Sequence, residues 1–324
     1  MWALFALGSS LAFCFVSVCD KRLLSFHLGG VAPLCLWCGV CGVLYGIAVT
    51  LAVGLPAGVS WQVATSPVVA GLLMGASVVL LFRGLRLMEA SRAVAIAQTN
   101  PIYVAILALL FLGERISIGQ WGGIALVVAG AVLISVRLYQ ERPYGRIGSG
   151  TGVSVPSTAA LTLGDSSAIY GPAILLLSAL CAAGSFVVAK AALNAELPVL
   201  TVFGMQQATV GVVFVAVGLS GGRESVRRLA GAVKEPAVLA MLIFGESLMP
   251  ALSILLSVYA YSLGPASLVA AVLATRPLFV FVASTILSRV RWQLLDESLT
   301  PRALAVKGIS IVMIVGGVSA LSLG

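Results

Sequence analysis

Apolar residues fill this chain in runs of about 20, separated by short polar breaks. A helix of that length crosses roughly 30 Å of hydrocarbon. The pattern predicts ten spans, at approximately 2–20, 31–54, 66–86, 92–112, 118–137, 170–190, 198–219, 236–260, 266–288 and 303–323. Residues 139–169 interrupt it, being rich in Gly, Ser, Thr and Pro without a sustained apolar period, and read as a flexible linker. The chain therefore divides into a first five-helix repeat, 1–138, the linker 139–169, and a second five-helix repeat, 170–324. An odd number of spans per half makes the second half enter the membrane from the opposite side. The expected fold class is all-α integral membrane, ten transmembrane helices as two inverted five-helix repeats.

One stretch supports the duplication directly. A shift of 176 residues carries Ala90-Ser91 onto Ala266-Ser267, Thr99 onto Thr275 and Pro101 onto Pro277, without a gap. Between these anchors Arg92 to Gln98 and Leu268 to Ala274 are both mostly small and apolar. Repeats of this kind are sought first because missing one mis-assigns the fold.

Composition agrees with the pattern. Charged residues make up 9% of the chain, hydrophobic residues 60%, and mean hydropathy is +1.12. A soluble surface needs far more charge, roughly 25% of residues. The net charge of +8 does not point to nucleic acid, because the basic residues gather in one set of loops. That set, between spans 1–2, 3–4, 5–6, 7–8 and 9–10, holds 16 of the 19 Lys and Arg, whereas the opposite side has Arg115 and Lys190. Basic loops stay cytoplasmic, which predicts a cell (plasma or inner) membrane protein with both termini extracytoplasmic. The first span begins at Met1 with no basic region before it and reads as a retained helix. The loop from Gly221 to Pro236, with Arg223, Arg227, Arg228 and Lys234, reads either as a basic amphipathic helix on the membrane or as a solvated loop.

Six cysteines lie in or beside apolar runs, and Cys35, Cys38 and Cys41 share a broad helix face. They read as reduced packing residues, with no metal site expected, since there is no fourth cysteine nearby and the one histidine, His27, lies outside the run. Gly119 and Gly123, four apart, suit close helix packing in lipid. Neither GxxxxGK(S/T) nor HExxH is present, so no enzyme, no ATP-driven pump and no cofactor is expected.

The chain resembles the drug/metabolite transporter superfamily, and within it the EamA-type ten-helix transporters. The resemblance rests on the proline helix from Ala90 to Pro101, on Leu112-Gly113-Glu114-Arg115, and on the glycine helix from Gly122-Gly123 to Gly130-Ala131. The second half repeats the proline helix (Ala266 to Pro277) and the glycine-bearing last helix (Gly308 to Gly316-Gly317). Two features depart from it. Ser288-Arg289-Val290 replaces Gly113-Glu114, with an extra segment through Asp296-Glu297; and ten-helix relatives mostly keep both termini cytoplasmic, opposite to the charge count. The resemblance implies a secondary active or facilitative transporter, with export the expected direction, moving a small metabolite by alternating access. Two alternatives stand beside it: an exchanger of anionic or phosphorylated solutes centred on Arg276, and, from another class, a lipid-linked-intermediate flippase or integral membrane enzyme. The expected partners are a small-molecule substrate and the lipid bilayer, with no nucleic acid, as a monomer or homodimer.

Ionisable groups at membrane depth are expensive and mark pathways. Arg276, beside Pro277, and Glu246, midway along the eighth span, both fall near the midplane. Arg276 reads as a structural partner of Glu246, as a fixed cation for a substrate carboxylate or phosphate, as both in exchange, or as a snorkelling side chain. Glu246 is the leading proton-coupling residue if the transport is ion-coupled. Pro101 and Pro277 each remove a backbone donor, freeing the carbonyls of Ala97 and Leu273, and kinked helices at equivalent positions point to a central cavity. Gln98, Thr99, Asn100, Thr275, Gln206 and Gln207 complete the candidate substrate-binding set, each reading either as a ligand or as helix-to-helix glue. Asp20, Lys21 and Lys190 read as interfacial anchors.

Overall fold

The computed structural model of the protein describes residues 1–56, 58–87, 96–140, 166–289 and 301–323. Among these residues every regular element is a helix. The first half contains α1 (Trp2–Phe26), α2 (Val31–Val53), α3 (Trp61–Leu87), α4 (Asn100–Leu107) and α5 (Ile118–Gln140). The second contains α6 (Ser166–Asn194), α7 (Val199–Ser220), α8 (Gly222–Ala232), α9 (Pro236–Ile243), α10 (Met249–Leu263), α11 (Ala266–Leu273), α12 (Arg276–Arg289) and α13 (Pro301–Leu323). Two π-helical turns extend these elements, Ala108–Leu112 after α4 and Phe244–Leu248 joining α9 to α10.

Six of the described helices are long and apolar enough to cross a membrane: Trp2–Leu24, Val31–Val53, Trp61–Leu85, Tyr170–Asn194, Val199–Ser220 and Pro236–Leu263. Four shorter apolar helices, Asn100–Leu112, Ile118–Leu133, Ala266–Val280 and Gly308–Leu321, accompany them. The chain is thus an all-α, multi-pass membrane protein. The ninth expected span, 266–288, is two helices broken at Ala274 and Thr275, because Pro277 cannot continue the hydrogen-bond ladder. Most of the expected linker, the anchor Ala90-Ser91, Arg92, and the segment from Val290 through Asp296-Glu297 lie outside the described residues.

Helices from the two halves pack in pairs: α2 on α7, α3 on α6, α1 on α10, α4 on α11 and α5 on α13. Lipid offers no hydrophobic drive for this, so the contacts must come from close van der Waals approach and interhelical hydrogen bonds. Both are present. On α2 and α7, a methyl added at Gly46 would sit 2.5 Å from the Ala208 amide nitrogen, and one at Gly211 would sit 2.7 Å from that of Val43. Gly123 and Gly317 bring α5 and α13 together in the same way, each against the other's carbonyl oxygen. Elsewhere hydroxyls tie the pairs. Ser9, Ser253 and Ser257 cluster between α1 and α10, with Ser9 Oγ 2.7 Å from Ser257 Oγ, and Ser178 Oγ donates to the Ser77 carbonyl at 2.8 Å between α6 and α3.

The basic loop after α7 folds as helix α8. Arg228 pairs there with Glu224 at 2.8 Å, which holds the Glu224 carboxyl below its ordinary range, and donates to the Gly29 carbonyl at 2.9 Å. The short helix is thereby fastened to the turn between α1 and α2. All six cysteines are free thiols.

Gly46→Leu and Gly211→Leu are expected to force α2 and α7 apart. Overpacking of this kind costs about 1–3 kcal/mol, to be read as an earlier thermal transition of the detergent-solubilised protein. The exposed Gly122, which has open space around it, is expected to accept alanine without such a loss.

Candidate functional site

The two proline helices break in the same way. Gln98-Thr99 and Ala274-Thr275 form non-helical turns immediately before Asn100-Pro101 and Arg276-Pro277. Each break is closed by its own threonine. Thr99 Oγ1 donates to the Ile96 carbonyl at 2.6 Å, and Thr275 Oγ1 donates to the Val272 carbonyl at 2.7 Å. The backbone amides of both threonines donate to the same two carbonyls, at 3.1 and 3.0 Å. All these partners are related by the shift of 176 residues. The threonine hydroxyl protons are therefore spent on the backbone, and what each side chain offers a solute is an acceptor oxygen.

The residue following each threonine carries the unspent polarity. Asn100 and Arg276 are equivalent under the same shift. Asn100 Oδ1 and Arg276 Nε are both buried without a hydrogen-bond partner. The Arg276 guanidinium lies over the Phe13 ring of α1, 4.3 Å from its centroid, a cation–π contact. Tyr261 on α10, 2% exposed, lies within electrostatic range of Arg276; its ring stacks on Phe186 at 5.3 Å and its hydroxyl is also unpartnered. Buried polar groups without partners are uncommon and call for an explanation. A guanidinium can bind a carboxylate or phosphate in a bidentate way, and an open phenol or amide oxygen can hydrogen-bond a polar group.

Arg276 and Glu246 form no ion pair. Glu246 lies against Asp20 of α1 and accepts from the Cys38 thiol of α2, with Sγ 3.8 Å from Oε2. The cause is helix register. Antiparallel packing sets Gly264 against Trp2 and Gly245 against Cys19, so Glu246 lies at the level of Asp20 and Arg276 at that of Phe13. Seven residues on α1 separate those levels, about 10 Å along the axis.

Gln206 and Gln207 serve as glue between helices. Gln206 Nε2 donates to Ser185 Oγ at 3.2 Å, and Ser185 passes a bond to the Ala70 carbonyl at 2.7 Å. Gln207 Nε2 donates to the Tyr45 hydroxyl at 2.7 Å. Gln98 is half-buried in the first turn.

Two further groups gather on the side of the protein poor in basic loops. The Glu114 carboxylate leaves the turn after the first π-helical segment and caps α11 of the other half. It accepts from the amides of Ala266 and Ser267 and from the Ser267 hydroxyl, the last at 2.7 Å. Lys190 is not an interfacial anchor: it is 9% exposed and donates to the Tyr261 carbonyl at 2.7 Å, at the end of α10. Asp20, likewise expected as an anchor, is turned inward against Glu246. The motif around Glu114 was visible in the sequence, but its partner on α11 was not. Tyr261 and Phe13 carried no signal beyond being aromatic residues in apolar runs.

Comparison with known proteins gives three findings. Residues 1–136 match the model of the EamA-like transporter family. A protein of Sinorhizobium sp described as an uncharacterized transporter in the cobO 3'region is 41% identical over 66 residues. That match spans 20% of this chain and 47% of the relative, about half its length. A crystal structure of another protein superposes with a TM-score of 0.64 over 98% of both chains at 16% identity, a likeness of fold. The first 136 residues of this multi-pass membrane protein are thus EamA-like, consistent with the drug/metabolite transporter superfamily.

Proposed function

We propose that this protein is a secondary transporter of a small metabolite bearing a carboxylate or phosphate, with Arg276 as its anchor. The carrying observation is the half-buried Arg276 guanidinium over Phe13, with an enclosed, open Nε and no acidic partner among the described residues. An unneutralised cation at membrane depth is costly, and a substrate anion relieves that cost. Asn100, at the equivalent position of the other half, and the Tyr261 hydroxyl are further open groups able to hydrogen-bond a solute.

The architecture proposed is ten crossings in two inverted halves. Support comes from the matching breaks at Thr99 and Thr275 and from the packing of each half's helices on those of the other. Inverted repeats characteristically bind their substrate near the midplane at the repeat interface and rock about it. In this reading the Glu114 cap on α11 is the clasp that closes one face, and it has to release for the halves to alternate. The bias of 16 basic residues to 2 supports a cytoplasmic location for the opposite face and an extracytoplasmic one for both termini.

The test is exchange in proteoliposomes loaded with pooled carboxylates and sugar phosphates. Exchange is expected in the intact protein, and Arg276→Ala is expected to weaken it roughly 30-fold, about 2 kcal/mol, with partial recovery in Arg276→Lys. Exchange of the pool at an unchanged rate in Arg276→Ala would sink the reading. Glu114→Ala removes a charged cap and is expected to destabilise the protein by about 2 kcal/mol, read as an earlier thermal transition; Glu114→Gln, which keeps an acceptor oxygen, is expected to lose less.

A further inference from the structure

Glu246 sits in the π-helical turn Phe244–Leu248, and such turns inside α-helices often mark functional sites. Three helices build the place it occupies. Trp37 of α2 supports the turn, donating Nε1 to the Leu242 carbonyl at 3.1 Å and lying 3.0 Å from Ser247 Oγ. Gly245 lets α1 come close, since a methyl there would meet Cys19 at 2.6 Å. That approach brings the Asp20 side chain up against that of Glu246. Cys38 Sγ lies 3.7 Å from the Glu246 carbonyl oxygen and 3.8 Å from Oε2, while Oε1 has no partner. Glu246 is 4% exposed.

The groups facing this carboxyl are Asp20 and Cys19 on α1 and Cys38 on α2, with Arg22 near Cys19 and Cys35 near Asp20. A proton on one of two adjoining carboxyl groups lets it donate to the other. Two bare carboxylates here would add mutual repulsion to the cost of desolvation. Asp20 belongs to the first group of five helices and Glu246 to the second, so rocking of one half against the other parts them.

We propose that Asp20 and Glu246 form a proton-binding site, separate from the Arg276 site, which holds one proton while the two halves meet at this level and gives it up when they separate. The inference rests on the transporter reading for its consequence, coupling of substrate movement to a proton gradient. The proton site itself does not depend on the substrate. Two adjoining acids in an apolar setting suit a proton.

The experiment has two arms on the full chain in phosphatidylcholine vesicles. In the first, dicyclohexylcarbodiimide, an apolar reagent that modifies protonated carboxyl groups, is applied from acid to alkaline pH and the modified residue located by peptide mass spectrometry. Label on Glu246 or Asp20, declining as pH rises and with its pH dependence altered in Asp20→Asn, is expected. Label on neither carboxyl, or label indifferent to pH, overturns the site. In the second arm, efflux of the carboxylate and sugar-phosphate pool is compared with and without a pH gradient. The ratio of the two rates is expected to exceed one in the intact protein and to fall to one in Glu246→Gln and Asp20→Asn; an undiminished ratio in both variants overturns the coupling. Should the intact protein move none of the pool while labelling remains pH-dependent, the anion-transport reading fails and the proton site stands.

Discussion

A peptide group that leaves the helical ladder inside hydrocarbon has to find its partner within the protein, because the bilayer core offers none. This requirement organises the irregular parts of the molecule. At the two proline breaks Thr99 and Thr275 turn back onto Ile96 and Val272. At the second π-helical turn Trp37 reaches from a neighbouring helix to the Leu242 carbonyl. At the end of α10 the carbonyl of Tyr261 takes Lys190, and at the start of α11 the amides take Glu114. The last three of these are also contacts between helices, and two of them, Trp37 on Leu242 and Glu114 on α11, cross from one half of the chain to the other.

The regular parts obey a complementary constraint. With no hydrophobic drive between helices in lipid, backbones have to come close enough for dispersion and small polar groups to hold them. The α2–α7 and α5–α13 crossings achieve this with glycine, whereas α1–α10 and α3–α6 do so with serine. Most of the polarity is consumed in this way. Gln206, Gln207, Ser185 and Tyr45 all have partners. Among the described residues six buried atoms are left open: Ser10 Oγ, His27 Nδ1, Arg276 Nε, Asn100 Oδ1, the Tyr261 hydroxyl and Glu246 Oε1. Two of these mark distinct places, Arg276 at a helix break and Glu246 at the π-helical turn, their levels about 10 Å apart along α1. One is built around a cation and the other around two acids.

Much of this was legible in the chain itself. The apolar runs, the duplicated Thr-x-Pro turns and the small residues of the glycine helices follow from local chemistry: hydrocarbon thickness, the missing proline N–H and the absent Cβ. The prolines located the breaks correctly, though the break falls on the preceding threonine and closes on residues one earlier than the freed carbonyls would suggest. The separation of Arg276 from Glu246 was less accessible. Both lie near the middle of their helices, and only the axial register of α1 against α9 and α10 separates them. Neither midplane counting nor hydropathy contains that register.

By itself, then, the sequence determined that the chain crosses the membrane repeatedly, that its halves share a proline helix, and that Arg276 is an expensive residue requiring a reason. Those properties depend on composition and short spacing. Tertiary structure alone decided which carboxylate meets which group: Glu114 reaches α11, Glu246 meets Asp20, and Arg276 settles on Phe13. The reason is geometric. A sliding helix pair keeps every local pattern intact while changing all its partners, and here the register is fixed by close approaches, Gly245 on Cys19 and Gly264 on Trp2, between residues more than 200 positions apart in the chain.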